Sequence, residues 1–252
     1  MLDMHVHLTG HGDRLATAET IREFLDQARR AGLKQIGFAD HDVYYKELNL
    51  PLIREVAEEY PDLKVAVGLE VDYRPSDEGK IKTLLEQFPF DFVIGSVHEL
   101  NGWAFDYPGE EAAHRQKDPD GMYEEYFHWV EMAAASDLFT TIGHFDLIKL
   151  FGVRPRTDIL CLAGGALEKI QKKGLVIELN TAGRYKPVGE YYPEVKIIEE
   201  IKRRGIPMTL SSDAHRAEHV GRDAKRAVQL LKDLGIKDII GFDHGQKEYY
   251  PL

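Results

Sequence analysis

Short apolar runs rich in Val, Ile and Phe recur along the chain and alternate with longer amphipathic segments. Segments 19–32 and 194–205 carry apolar residues three and four positions apart and end at a glycine, which predicts two helices. Because strand-like and helix-like segments alternate, the pattern predicts a parallel sheet. The strand-like runs are MHV near residue 5, 35–40, 64–70, 92–98, 140–144, 175–180, 206–213 and 238–242.

Seven or eight such strand–helix units in 252 residues fit one closed (β/α) barrel, so we predict a single α/β domain over residues 1–252. An open, doubly wound sheet is the structural alternative. No GxGxxG motif opens a helix after the first strand, which leaves a dinucleotide-binding fold without support. Two long polar stretches, 101–121 and 180–193, interrupt the pattern. Inserts of this kind after barrel strands commonly wall the mouth of a site.

Charge and composition narrow the classes of partner. A formal net charge of −11 argues against nucleic acid, since affinity for the phosphate backbone comes from lysine and arginine. No apolar run approaches the roughly 20 residues of a membrane helix, and the N-terminus lacks a secretory signal, so we expect a cytoplasmic protein without a membrane partner. The single cysteine, Cys161, is expected to be a small buried residue. These features make no prediction of the oligomeric state.

The first strand carries an unusual density of imidazole. The stretch LDMHVHLTGHGD, residues 2 to 13, contains three histidines and two aspartates. Since side chains alternate along a strand, Asp3, His5 and His7 are expected on one face. Two imidazoles side by side can bind a metal ion, although HxH alone is a weak signal.

The same placement recurs at the ends of other strands, where an acidic or imidazole group follows an apolar run. In a barrel these carboxyl ends meet at one mouth, so the side chains are expected to lie close together. Histidines that serve separate local hydrogen bonds would not be expected to share this position. The residues concerned are His41, Glu70, His98, His144, Asp213 and His215.

The number of candidate ligands predicts the number of ions. With His11 or Asp13 there are about nine nitrogen and oxygen donors, whereas a catalytic zinc-type ion takes about three protein ligands and a water. We therefore predict two to three divalent ions. Imidazole and carboxylate without thiolate suit Zn, Fe or Mn. Such a cluster is typical of sites for displacement at phosphorus.

These motifs, in this order, resemble the polymerase and histidinol phosphatase (PHP) superfamily. The shared elements are DMHVH, DH at 40–41, GLE, GSVH, GHFD and SDAH. The stretches GSVHELNGWAFD, IGHFDLIKLFG and ELNTAGRYKPVGEYYP are similar to the monofunctional histidinol-phosphatase branch. The resemblance implies a distorted (β/α)7 barrel like the TIM barrel, with a trinuclear metal site at the carboxyl ends of the strands. The eighth run would then be an extra or edge element.

The resemblance also implies an activity and a set of ligands. The activity is metal-dependent hydrolysis of L-histidinol phosphate to L-histidinol and phosphate, in histidine biosynthesis. Each ion is assigned by matching the family motifs. The first ion would take His5, His7, Glu70 and Asp213; the second Glu70, His98 and His144; the third His41, His215 and a residue of the first loop. Matching the His-Gly pair selects His11 for that loop and matching the spacing selects Asp13; we predict His11.

Substrate contacts follow from chemistry and from the same resemblance. Arg184 matches a basic segment that reaches the phosphate in the family, and Arg154 is a second candidate, because a guanidinium fits a phosphate well. Asp213 and His215 are candidate catalytic groups that transfer a proton to the leaving alkoxide. Carboxylates and aromatic faces could bind the cationic histidinol moiety. The candidates in the inserts are Trp103, Phe105, Tyr185 and Glu190.

The sequence leaves three other functions open. A PHP phosphoesterase could instead act on nucleotide or oligonucleotide esters, although the acidic charge argues against it. A deaminase or amidase can also begin with HxH, but would leave His41 and His215 without a role. A metal-binding module without activity would need closed coordination spheres, whereas a cluster at a barrel mouth keeps positions open for water.

Overall fold

In the computed structural model, which describes residues 1–252, the chain forms a nearly closed barrel of seven parallel strands. The strands neighbour one another in chain order, and a bridge between Val6 and Ala214 joins the first strand to the segment after the seventh. There the His7 amide donates a hydrogen bond to the Ala214 carbonyl at 2.8 Å. The predicted (β/α)7 barrel is confirmed. Its strands are β1 Leu2–Val6, β2 Gln35–His41, β3 Lys64–Asp72, β4 Phe92–Ser96, β5 Thr141–Ile142, β6 Val176–Asn180 and β7 Met208–Ser211.

Amphipathic helices surround the barrel. The first buries Ile21, Phe24 and Leu25 against the strands. Thr17 caps its amino end, because the Thr17 hydroxyl accepts a hydrogen bond from the Thr20 amide. The helices predicted over 19–32 and 194–205 are found at nearly those bounds. None of the helices is long and apolar enough to cross a membrane. They are α1 Ala18–Arg30, α2 Leu50–Ala57, α3 Glu78–Leu85, α4 Glu111–Gln116, α5 Pro119–Ala135, α6 Ile159–Leu162, α7 Gly164–Lys173, α8 Val195–Arg204 and α9 Ala224–Asp233.

The eighth apolar run forms a hairpin outside the barrel, as an extra element. Strands β8, Asp238–Asp243, and β9, Gln246–Pro251, pair antiparallel beneath the amino ends of the barrel strands. The Gln35 side-chain amide donates to the Phe242 carbonyl at 2.5 Å, and the two rings Phe92 and Phe242 stack with centroids 5.5 Å apart. The hairpin therefore covers the floor of the barrel, at the end away from the predicted metal site.

Two local expectations are wrong. Cys161 is exposed, because α6 is a single short turn at the surface. Asp3 does not join His5 and His7, because the register of β1 is irregular between Asp3 and Val6. Its carboxylate instead accepts from the Ser212 and Gly221 amides, both at 2.8 Å, and so ties β1 to the segment after β7.

Candidate metal centre

A buried carboxylate, Glu70 on β3, lies at the centre of the barrel mouth and is surrounded by imidazoles. Its side chain is 1% exposed. Oε2 lies 2.8 Å from His41 Nδ1, 3.3 Å from His5 Nε2 and 3.6 Å from His7 Nε2. Oε1 lies 3.0 Å from His144 Nε2 and 3.6 Å from His98 Nε2. Each carboxylate oxygen thus faces a different group of histidines.

Three groups of side chains have ligand atoms close enough to share a metal ion. In each group all ligand atoms lie within 4.8 Å of one another. Glu70 belongs to two groups and His7 to two, so the groups are contiguous. Asp213 Oδ1 lies 3.2 Å from His7 Nε2 and offers a further ligand atom beside these groups. The groups are His5, His7 and Glu70; Glu70, His98 and His144; and His7, His41 and His215.

Strand register brings these residues together. His41, the last residue of β2, is the register partner of Glu70 on β3. The Ser96 hydroxyl at the end of β4 donates to Glu70 Oε1 at 2.7 Å. Gly143 precedes His144 where strands approach closely: a Cβ there would lie 2.4 Å from Ser96 Oγ. Only glycine therefore lets His144 reach Glu70 without displacing its neighbours.

Asp213 reaches the centre through an unusual backbone conformation. Its φ is 54°, in the left-handed region, where Asp and Asn are among the few tolerated non-glycine residues. The Asn180 side-chain amide donates to Asp213 Oδ2 at 3.2 Å, which leaves Oδ1 facing His7. The turn after β7 thereby directs one carboxylate oxygen into the histidine cluster.

A second fully buried carboxylate, Glu178 on β6, was missed from the sequence. The His5 Nδ1–H donates to Glu178 Oε2 at 3.0 Å, and the His144 amide donates to Oε1 at 2.5 Å. Because His5 uses Nδ1 in this way, its Nε2 is free to face Glu70. The available signal was a glutamate inside the apolar strand LVIELN, where both faces are covered.

The buried carboxylates and the surrounding imidazoles shift one another's pKa values. Burial alone raises the pKa of Glu70, but His5 and His41 outweigh it and hold that pKa well below its usual value. Burial lowers the pKa of His5, yet Glu70 and Glu178 raise it well above normal overall. The pKa of His7 is well below its usual value because of burial and the nearby His215 and His41. A lowered pKa favours the neutral imidazole, the form that binds a metal ion.

The residues present fit divalent metal ions. His5 Nε2, both ring nitrogens of His7, His215 Nε2 and Glu70 Oε2 are buried and make no hydrogen bond. Buried polar atoms are rarely left without partners, and here the unpartnered atoms converge from separate strands. Imidazole nitrogen and carboxylate oxygen are suitable donors for such ions.

The first loop offers His11 rather than Asp13 to this centre. The His11 ring lies 4.4 Å from the His215 ring and 5.5 Å from the His41 ring, between centroids. His11 also lines the cavity above the cluster, which Asp13 does not. The position of the ring supports the choice of His11.

A cavity of about 400 Å³ opens above the cluster. His5 and His7 lie below it, fully buried, and the other seven predicted ligands line it. Two cations also line it without an ion-pair partner, Lys186 and Arg222, and the Arg222 guanidinium stacks 3.7 Å above the Tyr185 ring. The Arg222 Nε atom is buried and makes no hydrogen bond. The lining ligands are His11, His41, Glu70, His98, His144, Asp213 and His215.

The two predicted phosphate-binding arginines do not line this cavity. Arg154 donates to Glu190 at 2.6 Å and to Glu194 at 2.9 Å. Arg184 stacks over Tyr191 and has Nε 3.5 Å from Asp223. Both guanidinium groups have acidic partners outside the cavity, which accounts for the difference from the sequence prediction.

Of the four residues predicted to bind the histidinol moiety, one lines the cavity and three do not. Tyr185 lines the cavity. Trp103 donates through Nε1 to Glu110 at 2.7 Å, and Phe105 is fully buried, so both pack within the first insert. Glu190 pairs with Arg154 and with Lys149, 2.6 and 3.2 Å away respectively. Of the four, only Tyr185 is placed to contact a ligand.

Comparison with known proteins agrees with this architecture. The family model of the PHP domain matches residues 3–182, and a PHP-associated model matches residues 196–224. The chain belongs to the PHP domain family. This PHP protein is 38% identical to a probable histidinol-phosphatase of Deinococcus radiodurans, with 93% of this chain and 94% of the relative covered.

More distant PHP relatives span most of the chain as well. A histidinol-phosphatase of Bacillus subtilis is 28% identical, over 87% of this chain and 95% of the relative. The crystal structure of the Lactococcus lactis histidinol phosphate phosphatase, in complex with zinc, L-histidinol and phosphate, has a TM-score of 0.77 at 23% identity and covers 98% of both chains. At that identity the structural similarity establishes the fold.

Proposed function

We propose that this PHP protein is a metal-dependent phosphomonoesterase that hydrolyses L-histidinol phosphate to L-histidinol and phosphate. The observation that carries the proposal is the combination, in one cavity, of a carboxylate-bridged histidine cluster with two unpaired cations, Lys186 and Arg222. A phosphate dianion needs both, because its charge must be neutralised and its oxygens must be oriented.

The substrate assignment rests on the relatives. The curated Bacillus subtilis and Lactococcus lactis proteins are named histidinol-phosphatases, and each covers nearly the whole chain. The Lactococcus lactis structure was solved with zinc, L-histidinol and phosphate. A small phosphate ester, rather than nucleic acid, also suits a cavity of about 400 Å³ in an acidic protein. A cytoplasmic location and a single domain over 1–252 accompany this proposal as predictions.

Two to three divalent ions, Zn, Fe or Mn, would be held by nine side chains. When bound, such ions neutralise the phosphate charge and supply a hydroxide at neutral pH. Glu178 and Asn180 orient His5 and Asp213 for this purpose. The proposed ligands are His5, His7, His11, His41, Glu70, His98, His144, Asp213 and His215.

The two cations that line the cavity are assigned to phosphate binding. Arg222 and Lys186 are free of acidic partners, and we assign them to the phosphate oxygens that face away from the cluster. Thr181 fixes Arg222, because the Thr181 hydroxyl donates to the Arg222 carbonyl at 2.8 Å. The stacking of the guanidinium on Tyr185 orients its plane.

In hydrolysis the oxygen of a water molecule forms a bond to phosphorus as the bond between phosphorus and the ester oxygen breaks, and the departing ester oxygen takes up a proton. Asp213 and His215 remain the proposed proton-transfer pair, since His215 Nδ1 lies 3.6 Å from Asp213 Oδ1 and both line the cavity. The sequence-based assignment of Arg154 and Arg184 to phosphate binding stays a prediction; their contacts with Glu190, Glu194 and Asp223 lie outside the cavity.

The direct test is phosphate release by metal-analysed protein. L-histidinol phosphate, a nucleoside monophosphate and a generic phosphate ester are compared under the same conditions. The proposal predicts selective turnover of L-histidinol phosphate. Turnover of the nucleotide alone would instead support the nucleotide-ester alternative, with the same fold and metal centre.

A further inference from the structure

A tyrosine hydroxyl in the wall of the cavity has no hydrogen-bond partner in the protein. Tyr192 belongs to the second insert, 180–193, lines the cavity and is 1% exposed. Its hydroxyl is buried and makes no hydrogen bond. The three other fully buried tyrosines all donate from their hydroxyls to a protein acceptor, which makes Tyr192 the exception among them. These three are Tyr73, Tyr123 and Tyr126.

The backbone and the ring of Tyr192 are held in place by their neighbours. The Tyr192 amide donates to the Asn180 carbonyl at 3.0 Å, and the Asn180 amide donates back to the Tyr192 carbonyl at 2.7 Å. Gly183 packs directly against the ring, since a Cβ at that position would lie 2.8 Å from Tyr192 Cε2. The ring meets that of His144 edge to face, with centroids 6.5 Å apart. The hydroxyl is therefore carried by a preorganised ring.

The surroundings keep this hydroxyl protonated. Burial raises the pKa of the Tyr192 phenol, and the carboxylates of Asp146 and Asp213 raise it further. At neutral pH the phenol is therefore an uncharged group that can donate one hydrogen bond. It adds no charge to the cavity, but it can fix the position of a ligand oxygen.

The place of Tyr192 beside the metal centre indicates which ligand atom it meets. Its neighbour His144 belongs to the group that also contains Glu70 and His98. A phosphate ester whose oxygens contact ions in this centre has its phosphoryl group next to those ligands. Lys186 lies near a different part of the centre, because it lowers the pKa of His11, together with burial and His41. The phenol and the cations thus approach the phosphate from different sides.

We propose that the Tyr192 hydroxyl donates a hydrogen bond to a phosphoryl oxygen of the substrate, on the side of the cavity lined by His144. This inference rests on the proposed function and adds a neutral donor to the residues assigned to phosphate. The contact is made to an oxygen that every phosphate monoester carries. It therefore contributes to binding of the phosphoryl group and not to the choice of alcohol.

The test removes the hydroxyl and keeps the ring, in Tyr192→Phe. We expect the inhibition constant of inorganic phosphate to rise about 10- to 100-fold, the usual effect of losing a hydrogen bond to a charged group. The value of kcat/KM should fall by a similar factor for L-histidinol phosphate and for 4-nitrophenyl phosphate, because both esters have the same phosphoryl oxygens. Calorimetric binding of L-histidinol, which has no phosphoryl group, should stay unchanged.

A matched control and two structural measurements separate this contact from a role in folding. Tyr191→Phe removes the hydroxyl of the preceding tyrosine, which lines a different surface cavity, and should leave inhibition by phosphate unchanged. Because the Tyr192 hydroxyl has no acceptor in the protein, Tyr192→Phe should bind as much metal as the wild type and unfold at the same temperature or higher. A lower unfolding temperature or a loss of bound metal would assign Tyr192 a structural role and overturn the proposal.

The remaining outcomes are also decisive. Unchanged inhibition of Tyr192→Phe by phosphate would overturn the contact while leaving the phosphatase activity established. A loss confined to L-histidinol phosphate would assign the hydroxyl to the alcohol part or the leaving oxygen, and would overturn it as well. If the wild type hydrolyses neither ester, the proposed function fails, and calorimetric binding of inorganic phosphate to the metal-loaded protein decides. Weaker binding to Tyr192→Phe supports the contact, and equal or absent binding to both proteins refutes it.

Discussion

Glu178 Oε2 accepts a hydrogen bond of 3.0 Å from His5 Nδ1 across the barrel interior, and both side chains are completely buried. The contact uses Nδ1 of His5 and orients the ring, so that its Nε2 faces Glu70. Ser211 also donates to Glu178, at 2.8 Å. A carboxylate outside the predicted ligand set therefore connects three strands to the metal centre.

We expect Glu178→Gln to weaken metal binding about 10- to 100-fold, the usual effect of removing a hydrogen-bond partner of a ligand histidine. An amide nitrogen facing His5 Nδ1 would favour the wrong tautomer. Metal content after dialysis against graded chelator gives the measurement. Glu168→Gln, at an exposed glutamate on α7 paired with Lys172, is the control. Equal metal retention by both variants would contradict this role for Glu178.

Arg222 and Arg184 provide a paired test of the phosphate site. Arg222→Gln should raise the inhibition constant of inorganic phosphate about 10- to 100-fold, because it removes a charge-assisted contact. Arg184→Gln should change it little, since Arg184 is engaged by Asp223 and Tyr191. Steady-state inhibition of both variants is compared with the wild type. The reverse order of effects would restore the sequence prediction for Arg184.

Lys149 is a fully buried cation that links two loops of the barrel mouth. Its Nζ lies 2.9 Å from Asp146 Oδ2 and donates to the Tyr191 carbonyl at 2.7 Å. Lys149→Met should reduce the free energy of unfolding by about 3–5 kcal/mol, because it leaves Asp146 buried and unpaired. The double variant with Asp146→Asn should recover part of that loss in urea denaturation. Strict additivity of the two single losses would argue against a direct interaction.

A substitution in the hairpin on the barrel floor tests the prediction that the chain is one domain. Phe242 is 1% exposed and stacks on Phe92. Phe242→Ala should cost about 3–5 kcal/mol, typical of a cavity left by a buried aromatic ring, and unfolding should remain a single transition. Metal content should be unchanged, since the floor is remote from the cluster. Two separate transitions would show that hairpin and barrel are independent units.

The barrel and most of the metal centre could be predicted from the sequence. Apolar runs mark the strands, and a group such as His41 or Glu70 at the end of a strand must lie at the mouth once the sheet is parallel. The short strand β5 could also be predicted, because His144 follows an apolar run in the same way. The prediction succeeded where position along a strand determines position in space.

Other parts of the site depend on tertiary packing and were not predictable in this way. Glu178 belongs to an apolar run, and only the fold shows that its carboxylate faces His5. Asp3 departs from the expected face because β1 is irregular. Arg222 lies in a loop whose conformation depends on contacts far away in sequence, such as that with Thr181, so the sequence alone did not distinguish it from a surface charge.

The most direct test of the account is metal titration of the metal-free protein with phosphate release from L-histidinol phosphate as the signal, for wild type and Glu70→Gln. We predict that wild-type activity rises with added zinc or manganese until two to three ions are bound per chain. Glu70→Gln should bind fewer ions and lose more than about 100-fold in activity, a larger effect than removing a hydrogen-bond partner of a ligand histidine. Full activity without metal, or unimpaired turnover by Glu70→Gln, would contradict a phosphatase built around this carboxylate.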